Sequence, residues 1–183
     1  MVRLLVDQKI AVNAMTSLEG NALYYLCCYN ENSLVEVMRL LLDAGIDVNK
    51  KTNENWSSLL ALSSEQANHP DFIDAVKLLI EKRVELNATD DRRRNALINM
   101  CSKFNYKGNR LSEIIQLFFN HGHGIHLNHV DSDGKNILHH FCESYPLDKL
   151  TEIFKIFRGK MVLNGKAKDN FGREPHYYAD RRT

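Results

Sequence analysis

EVMRLLLDAGIDVNKKTNEN, residues 36–55, carries the pattern on which the chain is built. Val37, Met38 and Leu41 form an apolar stripe at helical spacing that runs into Gly45. A glycine there suits the left-handed backbone that closes a helix. A short extended piece follows, Ile46-Asp47-Val48-Asn49, and then a polar turn. The phrase returns as DAVKLLIEKRVELNATD at 74–90 and as EIIQLFFNHGHGIHLNHVD at 113–131, and it opens the chain as VRLLVDQKIAVNA at 2–14. A unit recurring every 36 to 41 residues predicts an all-α solenoid, in which each small unit buries its apolar face against its neighbours.

Working outward, each unit gains a first helix before the stripe. The segments at 21–27, 57–63, 95–101 and 136–142 each place a leucine in one register, at Leu23, Leu59, Leu97 and Leu138. Asn13, Asn49, Asn87 and Asn128 keep a second register after the second helices. Ser33 with Glu36 reads as a capping box opening a second helix, and Pro70 suits the opening turn of the next one. The buried stripes are Leu34, Val37, Met38 and Leu41; then Phe72, Ala75, Val76 and Leu79; then Leu111, Ile114, Ile115 and Phe118; then Leu147, Leu150, Phe154 and Phe157. Arg83 stands where Gly45 stood, so that helix needs another ending or holds a strained residue. The units fall at 17–53, 54–91, 92–131 and 132–169, with a half unit at 2–16 and a terminal first helix at 170–183. The opening helix lacks its partner and would expose Val2, Leu5 and Val6, which reads as a truncated array or an interface.

Composition narrows the function classes. The chain has 183 residues, 44% hydrophobic and 26% charged, which suits a folded domain. A net charge of +1 argues against a dedicated nucleic-acid binder. No apolar run approaches the ~18 residues of a membrane helix, and Asp7, Gln8 and Lys9 interrupt any signal-peptide core. Cys27, Cys28, Cys101 and Cys142 show no metal-ligand spacing, and helices stacked ~8–10 Å apart hold cysteines too far apart for a disulfide. They read as small buried residues in a reducing, intracellular compartment.

These residues carry a resemblance. Gly45-Ile46-Asp47-Val48-Asn49, the turns Asp131-Ser132-Asp133-Gly134 and Asp169-Asn170-Phe171-Gly172, and Ile137-Leu138-His139 with Glu174-Pro175 are similar to the signature elements of ankyrin repeats. The resemblance spans residues 2 to 182. The family's unit is 33 residues long; the extra residues here fall mostly between the two helices of a unit, predicting lengthened inter-helix loops. The resemblance implies a non-catalytic module that binds another protein through turn tips and the concave face of the first helices. In this register those surfaces carry Tyr25, Lys51, Trp56, Arg92, Arg93, Asn99, Lys135, His140, Phe171 and Arg173. A decoy that captures a host regulator and a structural segment of a larger scaffold are the alternatives. His139 matches the signature histidine and is expected to bond between neighbouring turns, and Asn49, Asn87 and Asn128 to bond turn backbone.

Other chemistry is weaker. His121, His123, His126 and His129 fall within nine residues, but across a helix end where direction changes at each residue; capping and solvated turns explain them better than a metal site. Arg92-Arg93-Arg94 follows Asp90 and Asp91, and the neighbouring turns mix both signs, which does not make a phosphate-tracking groove. Trp56 is the one tryptophan; it sits at a turn tip, as Phe171 does, and tryptophan is enriched among binding hot spots. No nucleophile with a base, and no glycine-rich phosphate loop, can be assembled. The expectation is no cofactor, no metal, no nucleic acid, no membrane and no small-molecule substrate.

Overall fold

The computed structural model describes residues 11–29, 32–103, 110–121, 124–146, 150–151, 154–155 and 163–179. Among them are eight helices and no strand: α1 (Ala22–Tyr29), α2 (Leu34–Asp43), α3 (Ser58–Glu65), α4 (Phe72–Glu81), α5 (Ala96–Lys103), α6 (Arg110–His121), α7 (Ile137–Ser144) and α8 (His176–Ala179). The chain divides into two compact units, Met1–Asp91 and Arg92–Thr183. The fold class is all-α, built of helix pairs on the repeat read from the sequence.

In the first unit α1 packs on α3, α2 on α4, and each first helix on its own second helix. Like helices therefore stack on like, as a repeat requires. The core is the two stripes: Leu34, Met38 and Leu41 from α2, and Phe72, Ala75, Val76 and Leu79 from α4, joined by Leu23, Leu59 and Leu62. Full burial of each large aliphatic or aromatic side chain contributes about 1.5–3 kcal/mol. Val37 sits at the edge of its stripe and is half-buried. In the second unit α7 packs on α5 and α8, around Leu97, Ile114, Ile115, Phe118, Leu138 and Phe141. Leu150 is buried, but Phe154, expected on the same stripe, is 40% exposed. The Leu111, Leu147 and Phe157 side chains and residues 2–6 lie outside the described residues.

Helix ends follow local chemistry. Gly45 (φ 83) closes α2: its amide donates to the Leu42 carbonyl, and the Ile46 amide to Leu41, both at 3.1 Å. This is the paired C-terminal closure that a left-handed residue permits. Arg83 makes the same closure of α4, donating to Ile80 at 2.9 Å while Val84 donates to Leu79 at 3.0 Å, with φ at +60. The arginine thus holds the strained conformation. Two start signals need correction. Ser33 is itself left-handed (φ 56, ψ 33) and makes no capping hydrogen bond, because a capping hydroxyl needs extended backbone to reach the helix amides. Pro70 stands before α4 rather than in its first turn; Asp71 is the residue preceding the helix, and its amide donates to His69 Nδ1 at 3.0 Å. Ser57 does cap α3, accepting from the Leu60 amide at 3.3 Å.

Candidate functional site

The turns that precede the first helices are built to one plan. Thr16, Thr52, Asp131 and Asp169 each donate their amide to the carbonyl four residues on, at Gly20, Trp56, Lys135 and Arg173, at 3.0–3.1 Å. Three of their side chains return the bond. Thr52 Oγ1 accepts from the Trp56 amide at 3.1 Å, Asp131 Oδ1 from Lys135 at 2.9 Å, and Asp169 Oδ1 from Arg173 at 2.9 Å. The aspartates also accept from Asp133 and Phe171, each at 2.9 Å. The third residue after each of these starting residues is left-handed: Glu19, Asn55, Gly134 and Gly172. Each turn is a closed box that projects its middle residues outward.

A second bond ties three of the boxes, those of Thr16, Asp131 and Asp169, to the helix nine residues on. Thr16 Oγ1 lies 2.8 Å from the Tyr25 hydroxyl, Asp131 Oδ2 lies 2.8 Å from His140 Nε2, and the Tyr178 hydroxyl donates to Asp169 Oδ2. Burial alone would raise both carboxyls. The bonds from His140 and from the Lys135 and Asp133 amides instead hold Asp131 below the usual carboxylate range. Those from Tyr178, Arg173 and Phe171 do the same, more strongly, for Asp169. The Tyr178 hydroxyl is pushed well up, by burial and then by the Asp169 carboxylate.

Within the second unit the turn tips are stitched together. The Ser132 amide donates to the Arg92 carbonyl at 2.9 Å, and the Asn170 amide to Asp133 at 2.9 Å. Asn170 Nδ2 adds a bond to the Ser132 carbonyl at 2.8 Å, and His129 Nε2 lies 2.6 Å from the Arg93 carbonyl. His139 Nε2 reaches the Arg173 carbonyl at 3.1 Å, the inter-turn bond expected of it. The asparagine register behaves similarly. Asn13 bonds Gly45 and Asp47, Asn49 bonds Arg83 and Glu85, and Asn128 bonds Asn164.

The ten expected contact residues separate by role. Arg92 and Arg93 are exposed at one tip, and Phe171 is 75% exposed at another. Lys135, Phe171 and Arg173 come together in one cluster. Arg173 Nε bonds Asp169 Oδ2 at 2.8 Å, and its guanidinium lies 4.3 Å from the Phe171 ring centre and 5.0 Å from that of Tyr178. Lys135 lies 4.5 Å from the Tyr178 ring centre and 2.8 Å from Glu143 Oε2. Trp56 and Lys51 are half-buried in the first unit, and Lys51 pairs with Glu85 at 2.8 Å. Tyr25 is half-buried and stacks on Tyr29. Two expectations need correction. Asn99 is fully buried and His140 is 7% exposed; His140 turns inward to Asp131 of its box rather than to solvent.

The reading of the sequence missed Asp131, Asp169 and Tyr178 as a network. The signal was present: a turn threonine or aspartate followed nine residues on by a polar or aromatic residue, interrupted where Ala61 follows Thr52. No group of three or more histidine, cysteine, aspartate or glutamate side chains could hold a metal among the described residues. The His121 side chain and His123 lie outside them. Cys27, Cys101 and Cys142 are buried free thiols, and burial raises the Cys27 and Cys101 thiols far above their ordinary range. No helix among the described residues is long and apolar enough to cross a membrane.

Residues 20–53 match the family model for the Ankyrin repeat, a stretch that begins at the buried Gly20 and ends in the turn after α2. No curated protein matches the chain. The ankyrin repeat is in general a protein–protein interaction fold, and the helix pairs and boxed turns of this chain fit a helical solenoid of that kind.

Proposed function

We propose that the chain is a non-catalytic recognition module that binds another protein through the tips of its boxed turns. The observation that carries this is the contrast at the tips of the second unit. The backbone there is held by tip-to-tip bonds from Ser132 and Asn170, while Arg93 and Phe171 project into solvent. A surface fixed before docking loses little entropy on binding, and arginine and aromatic side chains are the usual hot-spot residues. Of the ten residues named from the sequence, Arg92, Arg93 and Phe171 offer direct contact. Lys135 and Arg173 shape the tip, and Trp56 contributes at the first unit. The four cysteines suit work in a reducing compartment, the cytoplasm or nucleus.

The reading is tested by hydrogen exchange on a complex with a captured partner. Slowed exchange at residues 91–94, 132–135 and 170–173 supports it. Protection confined to the second helices or to the inter-helix segments contradicts it.

A further inference from the structure

The stitched tips of the second unit differ in chemistry from one to the next. Arg92 and Arg93 are exposed at the first; Asp91 precedes them in the chain, and the tip stays net positive. Asp133 is exposed at the second. Phe171 is 75% exposed at the third, with the Arg173 guanidinium against its ring. The acidic residues Asp131 and Asp169 do not take part in this surface. They are buried and spent on the turn backbone, His140, Arg173 and Tyr178. The outward face therefore runs basic, acidic, aromatic over three tips that hydrogen bonds hold side by side.

Spacing turns that order into a ligand. Packed helices lie ~8–10 Å apart, and a peptide in the extended polyproline-II conformation has three residues per turn and rises about 3.1 Å per residue, so neighbouring tips meet side chains about three residues apart on one face of it. Resting on the turn-tip reading above, we infer that these tips take an extended peptide carrying a carboxylate, a basic side chain and an apolar side chain at about three-residue intervals. The carboxylate meets Arg93, the basic side chain meets Asp133, and the apolar one covers Phe171. A nucleic acid fits less well: its phosphates are uniformly negative, and Asp133 stands in the middle of the row. Like charges placed across an interface disfavour the wrong partner.

The test is an array of heptapeptides varied at positions 1, 4 and 7 and probed with the full chain, followed by solution affinities for the selected sequences. The expected selection is acidic, basic and apolar in that order or its reverse. Arg93→Glu should weaken binding about tenfold. Asp133→Lys should weaken it similarly and be rescued by a glutamate at position 4. Selection of acidic peptides regardless of position 4, no rescue, no peptide bound, or tighter binding of a single-stranded oligonucleotide of similar length would each overturn the inference. The two levels separate cleanly. If Arg93→Glu and Phe171→Ala weaken the selected peptides but position 4 is indifferent, only the ordered pattern fails. If neither variant alters binding, the turn-tip reading fails with it.

Discussion

Asp169 and Tyr178 stand nine residues apart in the chain and meet through a hydrogen bond between carboxylate and hydroxyl. Asp131 and His140 repeat the relationship one unit earlier at 2.8 Å. In both, the carboxylate closes a turn with one oxygen and grips the following helix with the other. Asp169 is fully buried at its side chain, so its removal strands the Phe171 and Arg173 amides and the Tyr178 hydroxyl. Asp169→Ala should destabilise the protein by about 2–3 kcal/mol. Tyr178→Phe, which removes one bond and keeps the ring, should cost only about 1 kcal/mol. Urea unfolding of the two variants checks the ranking.

The same pairs set a response to acid. Asp131 and Asp169 have folded values below those of the unfolded chain. Their stabilisation is fully present above the ordinary carboxylate range near ~4 and is lost as pH falls through the folded values. His139 acts at milder pH. Burial pushes its imidazole below the ordinary value, outweighing the Arg173 carbonyl and Asp169, which favour the charged form. The unfolded chain therefore takes up the proton first. Its contribution is complete above pH ~6.5 and declines as pH falls below that. Unfolding midpoints between pH 7.5 and 5 should drop, and His139→Gln should flatten that slope.

Glycine positions give a paired prediction. A Cβ on Gly134 would lie 2.6 Å from Asn170 Oδ1 and 3.0 Å from the Asn170 amide nitrogen, whereas one on Gly172 meets nothing within 4 Å. Both residues are left-handed, so alanine strains each by about 1 kcal/mol, but only Gly134→Ala also breaks the tip-to-tip stitch. It should be the more damaging substitution by about 1–2 kcal/mol. In the opposite direction, Arg83→Gly should raise stability by about 0.5–1 kcal/mol, since the exposed arginine holds φ +60 in a closure that favours glycine. Thermal melts of the three variants decide the ordering.

Asn13, Asn49 and Asn128 bridge neighbouring repeats at the far end of the turn. Asn49 accepts from the Glu85 amide at 2.7 Å and donates to the Arg83 carbonyl at 3.3 Å. Both bonds are exposed, so Asn49→Ala should cost about 1 kcal/mol, and Asn49→Asp should recover the accepted bond alone. Amide exchange at Glu85 should quicken in the first variant and less in the second.

Much of this was legible in the sequence, because periodicity writes itself into apolar spacing. The stripes of α2 and α4, the leucine register and the left-handed closure at Gly45 could be read from residue type alone, whereas at Arg83 the sequence left a strained residue as one of two endings and the structure holds it at φ 60. Ser33 could not. Its capping signal is local, while its left-handed backbone reflects how the chain enters α2. Asn99 and His140 were misplaced for a related reason. A polar residue on a first helix looks solvent-facing until the partner nine residues upstream is known to be buried beside it, as Asp131 is for His140. Arg93 and Phe171 are exposed because residues at tight turn tips have little to pack against.

The proposed function is recognition through the boxed turn tips. Its most direct test is the affinity of a captured protein partner for the parent chain and for the Arg93→Ala and Phe171→Ala variants, with unfolding curves measured alongside. Each variant should lose at least about tenfold in affinity, with stability unchanged because neither side chain is in the core. Affinity equal to the parent in both variants would contradict it.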